Sequence, residues 1–187
     1  LFLDENLSSL AICRMVSLSL EHGHCDASCF GYEWFAMIAG PRFNNYKEGN
    51  RFGQLGFDLV ETRGLMRYQA RTYLTFATLT PWAKHFSSAR GLLRRAFDAA
   101  HRNGDLTFSA YSWKSLITNC LMAGDPLAEV QSEAEKAVAF ATKSRFGLMV
   151  VICGTQRGLI RTLRGLTPKF GCFDDEEFDE LRTERHL

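Results

Sequence analysis

The sequence is poor in several things at once, and each shortage closes off a class of function. No apolar run approaches the roughly 20 residues that a membrane-spanning helix needs. The longest, from Phe146 to Gly154, is under half that length, so no membrane partner is expected. An excess of one charge is missing too. Lys and Arg number 22 against 21 Asp and Glu, a net charge of +1. Nucleic-acid binders usually concentrate basic charge on one face, so no nucleic-acid partner is expected either. The Gly-rich phosphate loop is absent, since the dipeptide Gly-Lys never occurs, and so are His-Glu-x-x-His and Gly-x-Ser-x-Gly. No catalytic constellation is legible, and the expectation is a non-enzymatic chain without a cofactor. The first residue is Leu1, and no basic stretch leading into an apolar one follows it. The expectation is a segment excised from a longer polypeptide.

What is present is ordinary for a folded protein. The chain has 187 residues, 46% of them apolar and 23% charged, which suits a single folded unit spanning 1–187. The six cysteines, Cys13, Cys25, Cys29, Cys120, Cys153 and Cys172, are widely spread and mostly lie in apolar helical patterns. Small buried thiols of that kind point to a reduced, cytoplasmic setting rather than to a disulfide framework.

Helix breakers give the chain its rhythm. Gly23, Gly64 and Gly104 each close a helical pattern, at gaps of 41 and 40 residues. All four prolines, Pro41, Pro81, Pro126 and Pro168, form a second series with gaps of 40, 45 and 42. Glycine past a last turn and proline at a following start are stop and start signals. Asp125 is expected to cap a helix with Pro126 in its first turn, and Asp26, Asp105 and Asp174 are further capping candidates. Asp174 with Glu177 three residues on is an Asp form of the capping box. Between the breakers, apolar residues recur at helical spacing, as in Phe86, Ala89, Leu92, Leu93, Ala96, Phe97 and Ala100. The pattern predicts helices near 4–22, 26–40, 47–63, 65–80, 84–103, 106–123, 127–143, 148–164 and 174–185. The β-branched Val150-Val151-Ile152, with Gly154 and Gly158, makes 148–164 the segment in which a strand is the alternative.

Counting from the closing glycines exposes a repeat. Six residues on lie Cys29, Ala70 and Ala110; nine on lie Tyr32, Tyr73 and Trp113; twelve on lie Phe35, Phe76 and Leu116. In the partner helices Gly56-Phe57-Asp58 corresponds to Ala96-Phe97-Asp98 and, more loosely, to Ala137-Val138-Ala139. A short helical pair cannot bury its apolar face alone, but stacking on the next pair can. The expected fold is therefore all-α, an α-α superhelix of about four helix pairs that is TPR-like in its small and aromatic positions, with a period longer than the TPR's 34 residues or so. An ordinary helical bundle with coincidental spacing is the plainer alternative.

Three groups of residues could carry recognition. His22, His24, Cys25 and Cys29 are a compact set of zinc-type ligands, although Gly23 and Asp26 also explain that stretch as a helix stop and a cap. Lys84, Arg90, Arg94, Arg95 and Arg102 make one helix basic, and Arg157, Arg161 and Arg164 line a face of another. The acidic run Asp174-Asp175-Glu176-Glu177, continued by Asp179 and Glu180, could meet either row, or all these charges could simply be solvated. Aromatics are the third group. Tyr32, Tyr73, Trp82 and Trp113, with Arg94, Arg157 and Arg161, form the candidate partner or ligand face, with inter-helix packing as the plain role of such rings.

Several stretches resemble a specific family. Gly40-Pro41-Arg42-Phe43, Arg51-Phe52-Gly53-Gln54-Leu55-Gly56-Phe57-Asp58-Leu59-Val60, Pro81-Trp82-Ala83-Lys84-His85, Leu92-Leu93-Arg94-Arg95-Ala96-Phe97-Asp98, Gly124-Asp125-Pro126-Leu127-Ala128-Glu129-Val130 and Arg161-Thr162-Leu163-Arg164-Gly165-Leu166-Thr167-Pro168 look like parts of very large bacterial signalling proteins. Such proteins join a Ser/Thr-kinase-like domain, an AAA-type ATPase, a long TPR-like region, a GAF domain and a sensor histidine kinase. The resemblance is to the helical region alone and carries over no catalytic residue. It implies a regulatory interaction module whose partners are neighbouring domains of the parent chain or a protein or peptide. A small-molecule effector held in an aromatic groove is the second expectation, and a metal or redox sensor at His22, His24, Cys25 and Cys29 the third.

Overall fold

A computed structural model describes residues 4–174 and 178–185. Among these the chain is all-α, with no strand. The helices are α1 (Glu5–His22), α2 (Ser28–Phe43), α3 (Tyr46–Arg63), α4 (Met66–Leu79), α5 (Arg90–Arg102), α6 (Leu106–Met122), α7 (Leu127–Lys143), α8 (Gly147–Leu163) and the short α9 (Glu180–Glu184). None is long and apolar enough to cross a membrane. The segment 148–164 is helical: burial of Met149, Cys153 and Ile160 outweighs the weak helix preference of Val150-Val151-Ile152. The expected helix 174–185 is reduced to α9, and Asp175, Glu176 and Glu177, with the capping-box partner among them, lie outside the described residues.

From α1 to α8, each helix packs on the one before and the one after it. The even-numbered helices α2, α4, α6 and α8 also touch in series, while no comparable contact joins α1, α3, α5 and α7. The repeat positions explain this layering. Cys29, Ala70 and Ala110 are buried on successive even helices, and Gly56, Ala96 and Ala137 on successive odd ones. Small side chains at those points let neighbouring backbones approach, and larger ones such as Val60, Ile117, Val130 and Met149 fill the space beside them.

Five of the helix ends share one chemistry. At each an amide reaches back five residues: Leu65 to the Val60 carbonyl, Asp105 to Ala100, Asp125 to Cys120, Phe146 to Ala141 and Leu166 to Arg161, at 2.9–3.1 Å. The residue before each donor is left-handed: Gly64, Gly104, Gly124, Arg145 and Gly165. This is the Schellman closure. Arg145, at φ 52°, continues the series Gly23, Gly64, Gly104 without the glycine that made the others legible. An L-residue there is strained. Arg145→Gly is therefore expected to stabilise the protein by up to about 1 kcal/mol, read as a higher melting midpoint in a thermal scan.

Three expected boundaries move. Pro41 does not mark a turn: α2 runs through it to Phe43 and ends at left-handed Asn44, where the Asn45 amide reaches back to Ala39, one residue further than in those five turns. The expected helix 84–103 starts only at Arg90, because two 3-10 turns, Thr80–Trp82 and Phe86–Ala89, form a strap that Asn119 of α6 holds through the Phe86 carbonyl (2.8 Å). Asp125 is not a helix cap. The Arg90 guanidinium holds its carboxylate at 2.6 Å, and α7 begins after Pro126 without a side-chain cap. Asp26 does not cap α2 either, whereas Asp105 does cap α6 by accepting from the Phe108 amide at 3.0 Å. Asp174 accepts from the first amide of α9, that of Glu180, at 2.7 Å.

Candidate functional site: the groove of the last hairpin

A wide concavity lies at the C-terminal end of the array, about 1410 Å³ in volume. One wall is α7, with Glu135, Val138, Thr142 and Lys143; the other is α8, with Val150, Gly154, Arg157 and Arg161. Leu166, Pro168, Asp174 and Phe178 of the C-terminal segment border it. Two residues of the expected face, Arg157 and Arg161, are thus brought together here. Both make interactions within the chain, Arg161 donating to the Leu166 carbonyl at 3.3 Å. Their companion Arg164 turns to α7 and donates to Gln131 at 2.6 Å, so the basic row does not stay on a single open face.

A smaller cleft of about 290 Å³ lies between α5, α6 and α7. It collects two more of the expected residues, Arg94 and Trp113, beside Phe97, Asp98 and Glu133. Trp113 is half-buried and meets Phe97 edge-on at 5.3 Å. Trp82 stands apart on the strap, edge-on to Tyr46.

Tyr32 and Tyr73, expected on the partner or ligand face, are buried instead. They are 0% and 3% exposed and fill the inter-helix core. The register that made them conspicuous is a packing register. Tyr73 still has a polar role. Its hydroxyl donates to Glu61, and Arg95 donates to both oxygens of the same carboxylate (2.8 Å) and to the tyrosine oxygen (3.0 Å). The Arg95 guanidinium also lies 4.4 Å from the Tyr73 ring centre. These bonds, Tyr73's foremost, hold the Glu61 carboxyl below its usual range, and burial pushes the Tyr73 phenol up. The trio ties α3, α4 and α5 together.

No protein-family model matches this chain, and no curated protein is significantly similar to it.

The expected metal cluster does not assemble. Cys29 is fully buried, its thiol donates to the Asp26 carbonyl (3.0 Å), and burial raises it to about 11. His24 packs edge-on against Tyr32, and His22 points to Glu21 at 3.8 Å. Cys25 is exposed, and a hydrogen bond with Ser28 leads the effects that lower its thiol pKa. Helix geometry separates these side chains because α2 starts between Cys25 and Cys29, leaving one thiol outside and the other in the core. Among the described residues, the one group of three donors within 4.8 Å of one another is Cys172, Asp174 and Glu180. Its geometry is accounted for by bonds within the segment, from the Cys172 thiol to Asp174 (3.3 Å) and from the Phe173 amide to Glu180 (3.2 Å).

Sequence reasoning passed over Glu33. It is 1% exposed on α2, and neither carboxylate oxygen has a hydrogen-bond partner among the described residues. Burial raises its carboxyl well above the ordinary value. The signal in the sequence was a lone acid inside Tyr32-Glu33-Trp34-Phe35-Ala36-Met37; in the structure it faces Gly56, whose added Cβ would lie 3.1 Å from the carboxylate.

Proposed function

We propose that this chain is a non-catalytic, regulatory helical-repeat module, a TPR-like α-α superhelix that binds a partner protein segment in the α7–α8 groove. The reading places it in the cytoplasmic helical region of a large bacterial signalling protein and takes the neighbouring kinase-like or ATPase domains as its partners. The observation that carries it is the groove itself. At about 1410 Å³ it exceeds the roughly 300–1,000 Å³ typical of small-molecule sites, and its walls mix apolar and charged side chains along two helices, as an extended protein segment requires. The series of touching even helices supports the superhelical part of the reading. Regulation then works by differential contact: a partner that fits one arrangement of the stacked helices better than another shifts the population toward it.

The test is calorimetric titration of the purified chain against each domain encoded in the same reading frame. Saturable binding to one of them, weakened by Lys143→Glu at the groove rim, is the expected result. Absence of binding to every domain overturns the reading. A second reading rests on the 290 Å³ cleft, where Trp113 and Phe97 would stack on a small aromatic effector. Its mark is a change in tryptophan fluorescence on adding such a compound that is lost in Trp113→Leu.

A further inference from the structure

We propose that the α7–α8 groove is a receptor for acidic segments bearing two aromatic residues, and that Phe173 and Phe178 of this chain occupy it as a tethered copy of that ligand. The inference rests on the interaction-module reading and adds the chemistry of the occupant.

Two of the glycines of α8, Gly154 and Gly158, stand one turn apart, and each receives a ring. A Cβ added to Gly158 would come within 2.9 Å of the Phe173 Cβ and 3.1 Å of its Cγ; one added to Gly154 would lie 3.2 Å from the Phe178 ring. A contact under about 3.0 Å to the rigid base of a side chain forces a shift, so the Gly158 notch admits its ring because it is glycine. The repeat register shows what the notches replace. Nine residues after the left-handed turn residue, α2, α4 and α6 carry Tyr32, Tyr73 and Trp113. Nine after Arg145 comes Gly154. Three hairpins bring their own aromatic to that position. The fourth leaves it open and takes a ring from a residue outside any helix.

Charge fits the same occupant. Lys143, Arg157 and Arg161 on the groove walls outnumber Glu135. The stretch that delivers the rings reads Phe173-Asp174-Asp175-Glu176-Glu177-Phe178-Asp179-Glu180, two phenylalanines and six acids. Asp174 borders the groove with Phe178. A competing segment of the same kind, two aromatics separated by acidic residues, would displace the resident one and so couple partner binding to release of the C-terminal segment.

The probe is a labelled synthetic peptide of residues 170–181, titrated by fluorescence anisotropy into the 187-residue protein and into its Phe173→Ala/Phe178→Ala variant. A tethered competitor acts at roughly millimolar effective concentration, so the variant is expected to bind the peptide about tenfold more tightly than the parent. Adding Gly158→Leu to that variant should abolish binding, replacing both phenylalanines of the peptide should do the same, and salt should weaken it. The same gain, smaller in size, is required of Phe178→Ala alone, which keeps Phe173 seated and guards against a double variant that fails to fold. A helical variant that does not bind the peptide, or that binds the phenylalanine-free peptide equally well, overturns the proposal. If a neighbouring domain still binds in the calorimetric experiment, the module reading survives and only this occupant is removed.

Discussion

Ala96→Arg is expected to remove a large share of the protein's stability, about 3–5 kcal/mol. Ala96 is 0% exposed on α5 and belongs to the core that also holds Val60, Ala70 and Tyr73. It occupies the repeat position held by Gly56 on α3 and Ala137 on α7, where two backbones approach. A guanidinium there either stays in the interface as a charge without a prepared partner or forces the helices apart. An uncompensated buried charge costs about 3–5 kcal/mol, against total stabilities of about 5–15 kcal/mol for whole domains. Ala96→Gly is the control, since it keeps the space and loses about 1 kcal/mol of helix preference. Urea melts followed by far-ultraviolet circular dichroism check both, and an arginine variant with an unchanged midpoint would show that α5 does not pack as described.

The second large effect has the opposite sign. Glu33→Met is expected to stabilise the protein at pH 8 by about 1–3 kcal/mol, the usual cost of a buried polar group left without a partner. For a chain of this length each kcal/mol is worth roughly 2–4 °C in the melting midpoint. The pH dependence identifies the cause. Burial raises the Glu33 carboxyl in the folded protein. In the unfolded chain it titrates near its ordinary value of about 4.3. The folded state therefore holds this proton more tightly, and the associated stability is complete below that ordinary value and lost as the pH rises through the folded one. The advantage of Glu33→Met should accordingly grow from pH 4 to pH 8. Equal gains at both ends of that range would mean that Glu33 does not titrate with folding.

Most helices were legible because their signals are local. Apolar spacing and the glycine stops at Gly64, Gly104 and Gly124 place α3 to α7 to within a few residues, except at the start of α5. The break between 127–143 and 148–164 was placed by the apolar pattern, but not the residue that closes it: arginine carries no breaker signature, and the left-handed backbone at Arg145 is seen only in the structure. Pro41 misled for the complementary reason, since a proline near a helix end marks a boundary only when the last turn cannot widen around it. Asp125 looked like a cap because capping chemistry is local, but a guanidinium 35 residues earlier in the chain claimed it.

The site was less legible than the fold. Tyr32, Tyr73 and Trp113 share one register, yet two are core and one borders a cleft, because a period gives the face of a helix and not what covers that face. Arg157 and Arg161 could be grouped from their spacing, and the structure does bring them to one groove. Gly154 and Gly158 of α8 read only as weak helix residues. Their use as notches depends on where Phe173 and Phe178 come to rest, which no local pattern encodes.

The layering of the helices also bears on how quickly the chain can organise itself. Nearly every pairing joins elements adjacent or next-but-one in order, so contact order is low and each closure spans a short loop. Assembly can then nucleate at any hairpin and zip outward in both directions, without waiting for the two termini to meet.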